Sequence, residues 1–262
     1  MHAVILSAGQ GSRLAPLTAT TPKCLIDFHG RSLLEWQVAA LAAAGVDRMT
    51  VVTGFEAGQV RDRLAAAHVN VETLHNPFYR IADNISSVWL ARGVLAAGDA
   101  IVLNGDTLIG PELIAQAIAG ASAPVNVTIA VKPAYDADDM KVTLAAGRVT
   151  AVSKLLPPGE TDAESIGMLV MKGTGGATFA AMVDRVIARE GGTGNYYLSA
   201  VAELAITGVV GATDVTGHES AEVDFPADLP GARALTASWS TATWAQPPSV
   251  VPFSASRRSR TI

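Results

Sequence analysis

Cysteine is almost missing from this chain of 262 residues: Cys24 stands alone, so no internal disulfide can form. A reducing compartment, the cytoplasm, is the expected location. Charged residues make up only 16% and the formal net charge is −5, with no basic block ahead of the late Arg257, Arg258 and Arg260. A nucleic-acid partner is therefore not expected. No apolar run is long enough to span a bilayer, and no charged leader precedes the apolar stretch that stops at Ser7. Neither a membrane partner nor a secretory signal is expected. The five histidines (His2, His29, His68, His75 and His218) are scattered, so a zinc-type Cys/His site is excluded as well.

What the chain does have is apolar mass, 49% of its residues, enough for one sizeable core. Apolar spacing predicts strands at 3–6, 48–52, 70–74 and 100–103, alternating with helices at 33–44, 58–67, 86–96 and 111–119, with Asn84 or Ser86 capping the third. That order predicts an α/β fold: a mostly parallel, Rossmann-like sheet with helices on both faces. After Pro124 the rhythm changes to short β-type runs at 125–132, 141–145, 148–152 and 166–171, with a hairpin turn at 145–148. Helices return at 178–189 and 198–207, so a smaller α+β portion is expected to lie against the first half. Residues 1–236 are read as one domain in two halves, 1–123 and 124–236. From residue 237 Ser, Thr, Pro and Arg dominate, which predicts a flexible tail. No internal repeat is present.

The richest stretch runs from Leu6 through Ser7, Ala8, Gly9, Gln10, Gly11, Ser12 and Arg13 to Leu14, followed by Thr21-Pro22-Lys23. A strand breaking into a small-residue loop frees backbone N–H groups for phosphate oxygens. Arg13 adds a planar fork and Lys23 a compact point charge. A dinucleotide turn fails on spacing, because Leu14 stands where its third glycine belongs. A P-loop fails too, since Lys23 lies too far from Gly11. From Gly9 and Gly11 alone, a turn with solvated cations remains open.

The whole string, G-x-G-S-R-L-x-P-L-T followed by P-K-x-L, resembles the opening motif of the nucleotidyltransferases that activate sugar phosphates, phosphocholine and related phospho-alcohols. The resemblance implies a loop wrapped around a nucleoside triphosphate, with Leu6, Ala8, Gly9, Gly11, Ser12 and Arg13 in contact and Lys23 against the α-phosphate. Members usually carry Ala at the position of Ser7. It also implies that the first half holds the nucleotide and the second the acceptor.

A triphosphate needs a divalent cation, because pyrophosphate leaves with more charge than Lys and Arg neutralise. Asn104-Gly105-Asp106 follows the strand at 100–103, where parallel sheets gather ligands. Read alone, it is an ordinary turn; beside the opening loop, it matches the family's N-G-D element. Glu222-Val223-Asp224-Phe225-Pro226 reads as a strand with acidic side chains on one face, and a half-exposed edge strand is the alternative. It resembles the family's late E-[IV]-D element, which implies Asp106 and Asp224 as Mg²⁺ ligands. Oxygen donors favour magnesium.

Asn76-Pro77-Phe78-Tyr79, then Asn84 through Ala91, resembles the N-P-x-Y…N-N-x-x-S-x-x-x-A segment of the phosphocholine and phospho-alcohol cytidylyltransferases. This implies CTP, with Asn84 and Ser87 near the base, although Asp83 replaces the first Asn of the pair and a helix cap explains the segment equally well. For the acceptor, Lys141 is a candidate phosphate clamp and Glu164 a candidate pocket wall. Tyr196 and Tyr197 offer faces to a quaternary ammonium, but Leu198 and Ser199 stand where phosphocholine-specific relatives have acids.

The function implied is Mg²⁺-dependent transfer of a nucleotidyl group, from CTP, to a small phosphorylated alcohol. Two rivals remain: a sugar-1-phosphate enzyme using UTP, dTTP or GTP, and a non-catalytic nucleotide sensor. A glycosyltransferase would want an Asp-x-Asp triplet, of which Asp106 supplies only the last acid.

Overall fold

The computed structural model describes residues 1–67 and 71–245. The sequence reading of His68, the start of the strand at 70–74 and the end of the tail lie outside them. The first half comprises β1 (His2–Ser7), β2 (Asp27–Phe28), β3 (Arg31–Ser32), α1 (Leu33–Ala43), β4 (Arg48–Thr53), α2 (Ala57–Ala66), β5 (Glu72–His75), α3 (Ile85–Leu90), α4 (Arg92–Leu95), β6 (Ala100–Asn104), β7 (Thr107–Ile109) and α5 (Pro111–Gly120). The second half adds β8 (Val125–Ala130), β9 (Lys141–Ala145), β10 (Arg148–Ser153), β11 (Ala163–Met171), α6 (Gly175–Ile187), α7 (Leu198–Ala205), β12 (Val210–Asp214), β13 (Ser220–Glu222) and α8 (Leu229–Trp239).

Nine strands form one sheet in the order β5-β4-β1-β6-β11-β8-β12-β10-β9. All pairings from β5 to β6 are parallel, and β11 then joins β6 antiparallel. Strands of the second half thus extend the first half's sheet. Alternation along β1 explains the layers. Val4 packs with α3, α4, α6 and α7 through Ile85, Leu95, Phe179 and Val201. Ala3 and Ile5 pack on the opposite face with α1, α2 and α5 through Leu41, Val60 and Leu113.

Local signals place these elements. Ser32 and Glu35 form a reciprocal capping box that starts α1, and Gly45, at φ +83°, follows its end. Ala146 and Gly147 both have positive φ, the two-residue turn that joins β9 to β10.

Three expectations need correction. The helix expected over 86–96 is interrupted at Ala91, between α3 and α4, and Asn84 makes no side-chain cap. The stretch 222–226 is not a continuous strand: β13 ends at Glu222 and pairs with β7 in a separate ribbon. Nor does a flexible tail begin at 237. Trp239 ends α8, and its ring packs at a tilt against Trp36 and edge-on against Trp244, at centroid distances of 6.0 and 5.5 Å. Composition misled because the tryptophans, not the small polar residues between them, decide burial. Among the described residues no helix is long and apolar enough to cross a membrane.

Candidate active site

The site lies where β1 and β6 end side by side. Past Ser7 the chain turns away, the Ala8 carbonyl accepting from the Phe55 N–H at 2.9 Å. Gly11 sits at φ +76°, and its carbonyl accepts from the Thr18 hydroxyl at 2.6 Å, which pins the loop. A Cβ on Gly11 would stand 2.7 Å from the Lys23 Cβ, so glycine here makes room for the lysine stem. Lys23 opens a short 3₁₀ turn and is buried.

Asp106 is delivered by a turn that tolerates no side chain at Gly105, where a Cβ would collide with the Leu6 carbonyl. Gln37, buried on α1, clamps that turn by donating to the carbonyls of Asn104 (2.7 Å) and Thr107 (2.8 Å). Asp224 arrives from the far end of the chain. The β7–β13 ribbon sets Glu222 opposite Thr107, and the Val223 N–H donates to the Asp106 carbonyl at 3.0 Å. Asp228 then accepts from the N–H groups of Asp224 and Phe225, at 2.8 and 2.7 Å.

These segments line a cleft of about 260 Å³ that includes Gly9, Gly11, Arg13, Lys23, Asp106 and Asp224. The Lys23 ammonium donates to Asp106 Oδ2 at 3.1 Å and to Asp224 Oδ1, and Arg13 Nη1 donates to Asp224 Oδ2 at 2.6 Å. Burial works against the charge on Lys23, but the two carboxylates outweigh it and raise its pKa above the usual lysine value. Burial likewise opposes the Asp224 charge, and Lys23 with Arg13 holds its pKa below the usual range. Glu222 completes an acidic triad with Asp106 and Asp224, with oxygens within 4.8 Å of one another. Burial and the two aspartates push Glu222 up to about 7. An all-oxygen set packed this tightly suits a hard divalent cation such as Mg²⁺. Glu222 and Gln37 were missed as site residues in the sequence. The i, i+2 spacing of Glu222 and Asp224 was the available signal for the former.

The structure brings Leu6, Gly9, Gly11, Ser12, Arg13, Lys23, Asp106 and Asp224 to this cleft. Ala8 is buried and does not line the cleft; its carbonyl bonds the Phe55 N–H. The remaining candidates sit differently. Ser87 is buried, its hydroxyl accepting from Asn76 Nδ2 at 2.9 Å, and Asn84 Oδ1 accepts from the Tyr197 N–H at 2.9 Å. Both knit α3 to its neighbours rather than presenting free groups to a base. Lys141 is only 2% exposed and donates to the Lys154 carbonyl at 2.9 Å, so it braces β9 and is not a free phosphate clamp. The cation beside Tyr196 is Lys154, 5.3 Å from the ring centroid. Glu164 pairs with Lys132 at 2.7 Å; burial pushes its pKa up and Asp139 adds to that, against the pull of Lys132. Tyr197 is 1% exposed and packs on Phe179, so its face is closed to an ammonium. Cys24 is buried too, its thiol pushed up to about 12.

Comparison with known proteins places this geometry. The MobA-like NTP transferase domain matches residues 3–166, more than half of the chain. Over 118 residues the chain is 39% identical to a 2-aminoethylphosphonate cytidylyltransferase of Lancefieldella rimae, covering 44% of this chain and 46% of that protein. Over 109 residues it is 31% identical to the choline-phosphate cytidylyltransferase of Streptococcus pneumoniae, covering 42% and 46%. The matched stretch thus spans about half the length of these relatives. The fold is similar to the solved inositol-1-phosphate CTP transferase from T. maritima, with a TM-score of 0.78 at 19% identity over 92% of this chain and 96% of that one. By that match, which takes in the glycine loop, Lys23 and Asp106, the chain belongs to the MobA-like NTP transferase family.

Proposed function

We propose that the chain is a nucleotidyltransferase that transfers the nucleotidyl group of CTP to a small phosphorylated alcohol, such as phosphocholine or a related phosphomonoester, and releases pyrophosphate. One observation carries this reading: Lys23, Arg13, Asp106 and Asp224 converge beside a glycine loop. The relatives' names support cytidylyl transfer and a phosphorus-bearing acceptor.

An oxygen of the acceptor phosphate attacks the α-phosphorus in line. A new P–O bond forms, the bond to the β-phosphate bridging oxygen breaks, and pyrophosphate leaves with the electron pair. No base is needed, because a phosphate monoester has a second pKa near ~6 and is largely dianionic at pH 7. Lys23 offsets the charge gathering on the α-phosphoryl oxygens, and Arg13 holds the β- and γ-phosphates, each exchanging its bond to Asp224 for one to the nucleotide. Asp106 and Asp224, with Glu222 beside them, would hold Mg²⁺, which when bound neutralises charge on the triphosphate. Of the acceptor-side cations, Lys154 and Lys132 are more open than Lys141 and are better placed to meet an acceptor phosphate.

The test is a pyrophosphate-release screen of CTP, UTP, dTTP and GTP against a panel of phosphomonoesters with Mg²⁺. Turnover with CTP and a small phospho-alcohol is expected. Turnover only with UTP and hexose 1-phosphates would overturn the cytidylyl assignment, and silence across the panel would favour a nucleotide sensor.

A further inference from the structure

Phe225 is a large apolar side chain that the fold leaves open. Its ring is 39% exposed and joins no apolar core among the described residues. The backbone that carries it is nonetheless fixed. Val223, two positions earlier, is fully buried. Asp228 accepts from the Phe225 N–H at 2.7 Å through its carboxylate, and the Asp228 N–H donates to the Phe225 carbonyl at 3.0 Å. What the ring meets is Arg13, whose guanidinium carbon lies over it, 5.2 Å from the centroid. A cation in that position is attracted by the ring's quadrupole. Among the described residues two groups hold this guanidinium: Phe225, and Asp224, which accepts from Nη1 at 2.6 Å. They are neighbours in the chain, but they differ in what they leave free. The bond to Asp224 occupies an N–H donor that a phosphate oxygen would need. Contact with the ring occupies none, so the donors of the planar fork stay open to phosphate oxygens.

We propose that Phe225 is a positioning residue for Arg13, holding the guanidinium beside the cleft when Asp224 releases it to the β- and γ-phosphates. This rests on the nucleotidyltransferase reading and deepens it, since it says how the polyphosphate end of the nucleotide is met. Arg13 is 48% exposed, and a long open side chain without an anchor must be ordered when it binds. A contact already made in the free protein lowers that entropic cost. Stacking on the nucleobase is the competing role for an open ring, and a polyphosphate without a base separates the two.

Phe225→Leu keeps apolar bulk and removes the aromatic face, whereas Phe225→Tyr keeps the face. Titration calorimetry of the full chain with CTP and with inorganic tripolyphosphate, each with Mg²⁺, gives the affinities, and thermal melting follows the fold. Phe225→Leu should weaken binding of both ligands about two- to fivefold, the size of an exposed cation–π contact. Its melting temperature should not move, and Phe225→Tyr should bind both ligands as the unaltered chain does. A loss confined to CTP overturns the proposal, because the ring then stacks on the base. A loss in Phe225→Tyr equal to that in Phe225→Leu overturns it too, as does one that tracks a lower melting temperature; both mark plain packing. If the unaltered chain binds neither CTP nor tripolyphosphate, the functional reading itself falls, whereas undiminished binding of both by Phe225→Leu sinks the Phe225 role alone.

Discussion

Lys23 and Asp106 stand 83 positions apart in the chain, and their side chains meet at 3.1 Å. Asp224, 201 positions from Lys23, bonds the same ammonium. The ammonium lies between two carboxylates that would otherwise repel each other and Glu222, and Arg13 adds a second positive charge beside Asp224. The group proposed for the α-phosphate thus also ties Asp106 to Asp224.

Lys23→Ala tests both duties. Turnover should fall on the order of 10²–10³-fold, the usual loss for an electrostatic stabiliser. The metal-free protein should also lose about 3 kcal/mol of stability, since a largely buried charge pair is left half-made. Added Mg²⁺ should recover much of that loss and raise the melting temperature more than it does in the unaltered protein. Urea unfolding with and without Mg²⁺ measures this; an unchanged melting curve would leave Lys23 without a structural part.

Gly11→Ala probes the loop. The added methyl meets the Lys23 stem at 2.7 Å, at a φ of +76° that L-residues seldom adopt. A destabilisation of about 1 kcal/mol or more is expected, with weaker nucleotide binding by titration calorimetry. Gly9→Ala is the control, because nothing lies within 4 Å of its Cβ position. Equal effects in the two variants would show that Lys23 does not need this space.

Cys24 carries a pH prediction. Burial raises its pKa from 9.0 to about 12, with Ser7 opposing. A folded pKa above the unfolded one means that the unfolded chain releases its proton first. The stabilisation is complete below pH 9 and is lost as pH climbs towards 12. At pH 8 the native thiol should resist Ellman's reagent and react only on unfolding. Rapid labelling of native protein would contradict this placement, and Cys24→Ala should flatten the alkaline decline.

Trp239→Ala tests where the ordered domain ends. The indole is 4% exposed, packs against the rings of Trp36 and Trp244, and donates to Glu219 at 2.6 Å. Its removal should cost about 3–5 kcal/mol in denaturant unfolding, in line with large aromatic deletions. A loss below 1 kcal/mol would return residues from 237 onward to the status of a dispensable tail.

Much of this was legible in the chain. Apolar periodicity located β1, α1, β4, β6 and α5 within a few residues, because each buries one regular face. Residue type singled out the opening loop, and the fold brings Gly9, Gly11, Arg13 and Lys23 to one cleft. The base and acceptor contacts were harder to read. Ser87, expected near the base, and Lys141 and Tyr197, expected at the acceptor, are of the right kinds, but they are buried and engaged with Asn76, Lys154 and Phe179, partners at separations no local pattern records.

The amino-acid order by itself determined that an α/β sheet would form and that a glycine-bearing loop with two cations would leave its first strand, since both depend on neighbours within a few residues. Only the tertiary structure decided which acids share one site. Pairing of β7 with β13 carries Glu222 and Asp224 to Asp106, and a ribbon register is set by backbone hydrogen bonds between distant segments. Burial was decided there too: the same tyrosine or lysine is a ligand contact or a brace according to what the rest of the chain packs around it.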